Sequence, residues 1–478
     1  ANATRDASRA PLAPVGRGPL LRTLGEVLDG VATRGPTVVR LAGVSGAGKS
    51  TLIQHFGGAL DPSRTLLLAG RCYEREWLPF NAFEGLVGAL AEELSVLPQA
   101  ARGSMGTVRR RELTRLFPEL GVLEAPDGEL FAEDAAGLSI EFADSAALRE
   151  DAFGAFAALL AEHAGGRQIV LAIDDAQWAD RDSAALLAHL LGQRALPLLV
   201  LLVLRTPGTL VLCEAAPSWV EKDFAVGPLD AHSALELLRR DLGEDLPMDE
   251  ARRLVSQAEG LPLLLDELAR AMRDGVSGDL GAVLHQRVQA LSDDERALIE
   301  LLAVAGRPQS LSFLTRALPT VDLTRAGAAL TEVGLLVATR DEHNPGLGLR
   351  HDRVTQVVLE ALGPGEQQAL HRQLAEHLLA EKGDVEQIAG HLLDGGDAVR
   401  GREFAVLGAE SARFNLAFDR AARLLRAAVA LETHAPTRAL LCERLGEILA
   451  NDARAAEAAA AYLDAVGATD PAGAQRLL

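Results

Sequence analysis

Hydrophobic residues in the first half of the chain form short continuous runs separated by amphipathic stretches. The runs are rich in Val, Ile and Leu and read TVVRLAG (37–43), TLLLAG (65–70), IVLAID (169–174) and LPLLVLLVL (196–204). Continuous hydrophobicity suits strands that are covered on both faces. The pattern therefore predicts an α/β fold with a parallel sheet over residues 12–230. A long, mostly helical insert separates the second run from the third.

The second half of the chain has helical periodicity almost throughout. Residues 231–278 predict three helices, SALELLRRDL, EARRLVSQAEG and LPLLLDELARAMRD, which we interpret as a helical lid. In residues 279–364, three helical patterns precede two short strands, LLVATR and LGLR. The loop DEHNPG between the strands contains an Asn-Pro-Gly turn. Three helices followed by a hairpin predict a winged-helix domain.

Residues 365–478 are rich in Ala and Leu and predict stacked helices. Leu407-Gly408 recurs as Leu445-Gly446, at a spacing that suits tetratricopeptide-like (TPR-like) helix pairs. Because one repeat is clear and the other partial, ordinary helical hairpins remain an alternative. The Ala-rich helices at 403–465 fit a plain stacked core or a peptide groove.

Composition narrows the class of protein. Hydrophobic residues make up 48% of the 478 residues, enough for several cores. The chain has 67 acidic and 47 basic residues, a net charge of −20, which argues against a large nucleic-acid surface. The longest apolar run, 195–204, is about half as long as a membrane helix. Cys72, Cys213 and Cys442 form no CxxC pair and fit free thiols in a reducing, cytoplasmic compartment.

Both ends of the chain have the features of a segment cut from a longer protein. The chain begins at Ala1 rather than Met, and it stops at QRLL inside a helical pattern. The polar residues 1–11 are expected to be disordered.

Residues 43–51, GVSGAGKST, carry the clearest chemistry. They match the phosphate-loop (P-loop) pattern, with a strand before them and an amphipathic helix after them. Glycines let the backbone N–H groups face the phosphates, Lys49 would bridge the β- and γ-phosphates, and Ser50 would ligate Mg²⁺. We expect ATP or ADP to be bound by Gly43, Gly46, Ala47, Gly48, Lys49, Ser50 and Thr51.

Two adjacent carboxylates end the third apolar run, IVLAIDDAQWAD. Asp174 is placed to hold Mg²⁺ through water, and Asp175 could orient or deprotonate an attacking water. Arg205 ends the fourth run, where a cation could reach the γ-phosphate. Strand-end Asp pairs also form turns, and strand-end arginines also cap surfaces. The phosphate loop is what favours functional roles here, with Lys49, Asp175 and Arg205 as catalytic residues and Ser50 and Asp174 as metal ligands.

Six stretches follow one another along the chain: VGR (15–17), GVSGAGKST (43–51), IVLAIDDAQWAD (169–180), VLLVLR (200–205), GLPLLLDEL (260–268) and LRHDRV (349–354). In this order they resemble the STAND signal-transduction ATPases, and the resemblance covers about residues 12–470. GRCYEREWLPFNAFEGLVGAL (70–90) and RLFPEL (115–120) are similar to the ATPase segment of large bacterial regulators that begin with a serine/threonine kinase domain. The chain has no kinase signature, so any such kinase would lie outside it.

The resemblance implies roles for several matched positions. Arg205 would sense the γ-phosphate, and Pro262 of the lid would pack against the base and sugar. His351 would contact the β-phosphate of ADP and lock the closed form, although a His-Asp pair at a strand end is otherwise more often a cap or a turn. The adenine side would be lined by Val15, Gly16 and Arg17.

These features favour a nucleotide-controlled switch. ADP would hold the lid and winged helix closed through Pro262 and His351, ATP would release them and allow self-association, and slow hydrolysis would reset the state. Protein partners would bind the C-terminal helical repeats, and no membrane or nucleic-acid partner is expected for this segment.

Two alternatives remain open. The first is an ATP-dependent DNA-binding transcription regulator, although its candidate recognition helix, LTRAGAALTEVG (323–334), has a single arginine and its wing loop begins with acidic residues. The second is a scaffold with a structural nucleotide, against which Asp175 argues because a structural site needs no base.

Overall fold

A computed structural model of the chain describes residues 14–74, 79–97, 107–123, 145–206, 211–214, 220–243, 246–273, 280–338, 345–350 and 352–468. Four features discussed above lie outside the described residues. They are the predicted disordered segment 1–11, most of the loop DEHNPG, His351 and the final QRLL. The side chain of Cys213 is also not described, while Cys72 and Cys442 are buried.

A five-stranded parallel sheet forms the centre of the first part of the chain. The strand order is β2-β3-β4-β1-β5. The strands are β1 (Thr37–Gly43), β2 (Thr65–Arg71), β3 (Gln168–Asp174), β4 (Leu198–Arg205) and β5 (Val220–Ala225). The central strands are buried almost throughout, as their continuous apolar runs require. The predicted parallel-sheet α/β P-loop core followed by helices is confirmed.

Two details of the sheet differ from the prediction. β4 begins at Leu198 rather than at residue 196, because Pro197 has no N–H to donate to the sheet. β5 is an additional strand that hydrophobicity alone does not indicate, since its middle contains the charged residues of VEKDFA. It lies at the edge of the sheet, where charged side chains are tolerated, and its Asp223 forms an ion pair with Arg40 of β1.

Seven helices and two short 3₁₀ helices accompany these strands in the described part of this region. The α-helices are α1 (Gly18–Arg34), α2 (Lys49–Gly58), α3 (Asn81–Ser95), α4 (Thr107–Leu116), α5 (Ser145–Ala164), α6 (Arg181–Gly192) and α7 (Val211–Glu214). The 3₁₀ helices are Pro118–Leu123 and Ala176–Trp178. The predicted helical insert supplies α3, α4 and α5. Its buried rings pack edge to face, with centroids 5.5 Å apart for Phe80 and Phe117 and 6.1 Å apart for Phe83 and Phe156.

The three helices expected in residues 231–278 are present, and they share a small hydrophobic core of their own. They are α8 (Ala231–Leu242), α9 (Met248–Gln257) and α10 (Pro262–Arg273). Asp230 caps α8 by accepting a hydrogen bond from the Ser233 N–H at 2.9 Å. We call these three helices the lid.

The next block has four helices before its hairpin, rather than the three predicted. They are α11 (Leu280–Gln289), α12 (Asp293–Ala305), α13 (Leu311–Ala317) and α14 (Leu323–Glu332), and α15 (Asp352–Ala361) follows the hairpin. At seven residues, α13 is too short for its periodicity to stand out. The predicted strands β7 (Leu336–Ala338) and β8 (Gly346–Leu349) pair antiparallel, and a short strand β6 (Gln309–Ser310) adds to β8.

Six helices, each packed on the next, complete the described chain. They are α16 (Pro364–Ala380), α17 (Val385–Asp394), α18 (Ala398–Phe414), α19 (Phe418–Leu431), α20 (Ala435–Asn451) and α21 (Ala455–Ala468). The recurring Gly446 has a packing role, because a Cβ there would lie 2.7 Å from the ring of Tyr462. Ala405, Ala409 and Ala412 are buried, as expected of a plain stacked core.

One hydrophobic cluster continues from the sheet into the C-terminal helices. It contains β3 and β4 residues, the insert phenylalanines, and residues of α18, α19 and α20, including the fully buried Phe418. The C-terminal helices are therefore packed on the α/β core. None of the helices among the described residues combines the length and the apolar character needed to cross a membrane.

Candidate functional site

The P-loop joins β1 to α2 and depends on glycine at three points. Gly46 and Gly48 have φ values of 80° and 85°, in the left-handed region that favours glycine. A Cβ on Gly43 would lie 2.2 Å from the carbonyl oxygen of Val226. Because α2 begins at Lys49, the unpaired N–H groups of its first turn lie at the end of the loop. This arrangement can receive the phosphates of a nucleotide.

Lys49 is buried, with 7% of its surface exposed. Its Nζ donates hydrogen bonds to the carbonyl oxygens of Gly43 at 2.8 Å and Val44 at 2.9 Å. Burial lowers the pKa of Lys49, and the nearby Asp174 and Asp175 oppose that shift. The ammonium group therefore lies inside the loop, beside the two carboxylates.

Ser50 and Asp174 are in direct contact across the sheet edge. The Ser50 hydroxyl donates to Asp174 Oδ2 at 2.5 Å. Burial, and then the charge of Asp175, raises the pKa of Asp174, while the hydrogen bond from Ser50 lowers it. A hydroxyl and a carboxylate are the oxygen ligands that Mg²⁺ prefers, so the pair fits the ion that a P-loop site uses.

Asp175 lies at the centre of an ion-pair network. It follows β3 in the left-handed region, with φ 50°, and it is 6% exposed. Arg205 donates to Oδ1 from Nε at 2.9 Å, and Arg71 donates to Oδ2 from Nε at 2.9 Å. Burial raises the pKa of Asp175, but the charges of Arg71 and Arg205 outweigh it and hold the pKa below its usual value. The carboxylate is thus ionised and held on both sides.

The VGR stretch lies beside the P-loop. The Arg17 guanidinium donates to the carbonyl oxygens of Ala47 at 3.1 Å and Gly227 at 2.5 Å. Burial lowers the pKa of Arg17, and Asp230 opposes that shift. Gly16 has φ 72°, and a Cβ there would lie 2.5 Å from the Ser233 hydroxyl of the lid. Val15 is half-buried next to them.

The lid begins directly on the P-loop. The Leu263 N–H donates to the carbonyl oxygen of Gly46 at 3.2 Å. A Cβ on Gly48 would lie 3.6 Å from Pro262 Cγ, and a Cβ on Gly46 would lie 2.9 Å from Leu263 Cβ. Pro262 therefore lies at the phosphate end of the loop. The first turn of α10 is in contact with the backbone that would hold the phosphates.

The substitution Gly46→Ala is expected to destabilise the lid contact. The new Cβ would meet Leu263 and would force a non-glycine residue to φ 80°, at a combined cost of about 1–3 kcal/mol. Thermal unfolding of the nucleotide-free chain measures the effect as a lower melting temperature.

Gly25→Ala is the matched control for this substitution. Gly25 lies inside α1 with open space at its Cβ position, so alanine there should stabilise the helix by about 0.5–1 kcal/mol. Equal melting temperatures for the two variants would contradict the close contact between the P-loop and the lid.

The helix that follows the carboxylate pair also contacts the C-terminal helices. Asp182 of α6 is fully buried and accepts the backbone N–H groups of Asp419 at 3.1 Å and Arg420 at 3.0 Å. These N–H groups belong to the first turn of α19, so Asp182 caps a helix distant in sequence. Burial, with the charges of Asp180 and Asp419, raises the pKa of Asp182 well above its usual value.

Further charged contacts surround this cap. Arg149 of the insert lies 4.6 Å above the Phe418 ring and pairs with Asp452 at 2.9 Å. Arg420 pairs with Glu386 at 2.9 Å, and both side chains are almost completely buried. Burial raises the pKa of Glu386 to about 7, against the pull of Arg420. The insert and α6 therefore form the surface on which the C-terminal helices pack.

The site combines expected and unexpected residues. The structure brings together the P-loop, Asp174, Asp175 and Arg205, and it places Pro262 next to Gly48. Thr51 lies exposed in the first turn of α2. Arg71 and Gln177 were missed by sequence reasoning, although Arg71 ends an apolar strand as Arg205 does.

Comparison with known proteins supports a P-loop ATPase core. Residues 13–203 match the AAA ATPase domain family. An uncharacterized protein of Rhizobium meliloti (strain 1021) is 26% identical over 383 residues, which cover 74% of this chain and 36% of the relative. The chain thus spans about a third of the length of this curated relative.

Two solved structures show a looser likeness. A STAND protein with a tetratricopeptide repeat sensor from Pyrococcus horikoshii has a TM-score of 0.48 at 14% identity, covering 93% of this chain and 66% of the other. A Walker-type ATPase of Pyrococcus abyssi has a TM-score of 0.34 at 17% identity, covering 72% and 95%. Neither TM-score reaches 0.5, so neither structure bears on the function of this chain.

Proposed function

We propose that this chain is a cytoplasmic ATP-binding and slowly hydrolysing switch, closed with ADP and open with ATP. Opening would permit self-association or would act on an output domain outside the chain, for which a serine/threonine kinase is the example that the sequence resemblance implies. The observation that carries the proposal is the contact between the lid and the P-loop.

The lid is placed to respond to the phosphates. Leu263 donates its N–H to the Gly46 carbonyl, and Pro262 packs next to Gly48. A phosphate bound by the loop N–H groups would therefore lie close to the first turn of α10. A site meant only for rapid turnover needs no such link between the phosphate-binding backbone and a separate helical unit.

The same geometry supports the catalytic roles that we assign. The loop N–H groups and Lys49 bind the phosphates, and Ser50 and Asp174 would hold Mg²⁺, which when bound neutralises phosphate charge. Arg205 leaves Oδ1 of Asp175 and turns to the γ-phosphate. Asp175 can then orient the attacking water through Oδ1. Because Asp175 is held by two arginines, hydrolysis requires a rearrangement and is expected to be slow.

The C-terminal helices supply a second control of the switch, in addition to the lid. They pack on α6, which begins seven residues after Asp174, and on the insert. A partner protein bound to these helical repeats would compete with or reinforce that packing. We interpret residues 279–364 as a winged helix. In the closed form, His351 of this segment would contact the bound ADP.

The proposal is tested by the nucleotide content and the size of the purified chain. Nucleotide released on denaturation is identified first, and light scattering then measures mass with ADP and with ATP. We expect about one ADP per chain in the resting protein, a monomer with ADP and a larger species with ATP. A chain that holds no nucleotide and turns over added ATP rapidly as a monomer would contradict the switch.

A structural nucleotide in a scaffold is the second candidate. It is favoured by the hydrogen bonds that already occupy both oxygens of Asp175. The same preparation separates the two functions, because a scaffold would retain its nucleotide and would hydrolyse no ATP over hours.

A further inference from the structure

Arg71 is the charged residue around Asp175 that the sequence did not predict. Strands β2, β3 and β4 are neighbours in the sheet, and Arg71 is opposite Asp174 in the register of β2 and β3. Because parallel strands end at the same edge, the ends of these three strands bring Arg71, Asp175 and Arg205 together. Asp175 thus lies between two arginines that approach it from opposite neighbours.

The two arginines divide the oxygens of Asp175 unequally. Arg71 binds Oδ2 alone, from Nε at 2.9 Å and from Nη2 at 2.7 Å. Oδ1 accepts from Arg205 Nε at 2.9 Å and from Gln177 Nε2 at 3.0 Å, and Arg205 Nη2 also reaches Oδ2 at 3.2 Å. A carboxylate offers about four lone-pair sites, so these five donors saturate it.

We propose that Arg71 is a positioning residue for ATP hydrolysis, which holds Oδ2 of Asp175 while Arg205 leaves and frees Oδ1 for the attacking water. This inference rests on the proposed function, in which Arg205 turns to the γ-phosphate and Asp175 orients water. Arg71 touches neither water nor nucleotide in this role. It acts by fixing the direction and the charge of the carboxylate.

The burial of Asp175 explains why a second arginine is needed. A carboxylate that is 6% exposed and loses Arg205 needs another charged partner in direct contact with it. Gln177 offers only a neutral amide, which holds Oδ1, and its own oxygen accepts the Arg205 backbone N–H at 3.1 Å. Arg71 is the cation that can stay in place.

The test compares Arg71→Ala and Arg71→Lys with Arg64→Ala, an exposed arginine just before the other end of β2. For Arg71→Ala, kcat should fall about tenfold or more, a part of the 10²–10⁴-fold that a general base supplies. The dissociation constant for ATP should stay within about twofold of wild type. Arg71→Lys should recover part of the loss, and Arg64→Ala should behave as wild type.

A nucleotide-free measurement accompanies the kinetics. Arg71→Ala removes one partner of the buried ion pair with Asp175, so its melting temperature should be lower than that of the wild type.

Two results would overturn the role of Arg71 and leave the proposed function standing. One is wild-type kcat in Arg71→Ala, and the other is a higher kcat, which would make Arg71 a restraint. If the wild type hydrolyses no ATP, or Asp175→Asn turns over normally, the proposed function fails as well. The wild type and Asp175→Asn thus separate the two failures.

Discussion

Lys49→Ala is expected to weaken the binding of ATP and ADP by at least about 100-fold. The Lys49 ammonium is buried in the P-loop, bonded to the Gly43 and Val44 carbonyls. Removing one partner of a buried charged contact costs about 3–5 kcal/mol, and about 1.4 kcal/mol is a tenfold change in affinity. Titration calorimetry with each nucleotide measures the loss, and the purified variant should carry no nucleotide.

Lys222→Ala is the control for this loss of charge. Lys222 lies on the edge strand β5, away from the P-loop, and its removal lowers the net charge by the same amount. Its nucleotide affinity should equal that of the wild type. Unchanged affinity in Lys49→Ala would mean that the P-loop does not hold the phosphates.

Asp182→Ala is expected to loosen the packing of the C-terminal helices by about 2–4 kcal/mol. The substitution removes a helix cap and leaves the backbone N–H groups of Asp419 and Arg420 without an acceptor in a buried position. It also leaves Arg149 without the nearby Asp182 charge. Hydrogen exchange in α19 reports the change, as faster exchange by about 30- to 1,000-fold.

Asp182→Asn separates the cap from the charge. Burial raises the pKa of Asp182, which lowers the cost of replacing the carboxylate by a neutral amide, so asparagine should be tolerated better than alanine. The asparagine still offers one oxygen to the first turn of α19. Wild-type exchange rates in Asp182→Ala would show that the hydrophobic cluster alone holds the two parts together.

Much of the core could be predicted from the sequence because its signals are local. The apolar runs and the glycine pattern each lie within about ten residues, so the main strands and the P-loop were found. β5 was missed because an edge strand needs no continuous hydrophobic run. The extra helix Leu311–Ala317 was missed because two turns carry too little periodicity.

The remaining features depend on contacts between distant segments. Arg71 becomes a partner of Asp175 only through the strand order, which the sequence does not state. The role of the insert depends on pairs such as Arg149 with Phe418, which no local pattern connects. The lid contacts the P-loop through a hydrogen bond from the Leu263 backbone N–H to the Gly46 carbonyl. Because almost any residue can make a backbone hydrogen bond, the sequence does not indicate this contact. His351 lies outside the described residues, so its role stays a prediction.

The stretch from Asp174 to Asp182 contains both a nucleotide-site carboxylate pair and the cap of a C-terminal helix. If nucleotide exchange moves this stretch, it changes how firmly α19 is held. Thermodynamic linkage then requires that a change in the packing of α19 alters nucleotide affinity by an equal factor. Suppose that a partner protein binds more tightly to the ATP form than to the ADP form. Binding of that partner would then raise the affinity for ATP relative to ADP by the same factor. The chain would therefore report its binding partner through its nucleotide affinity, and measuring either quantity would give the other.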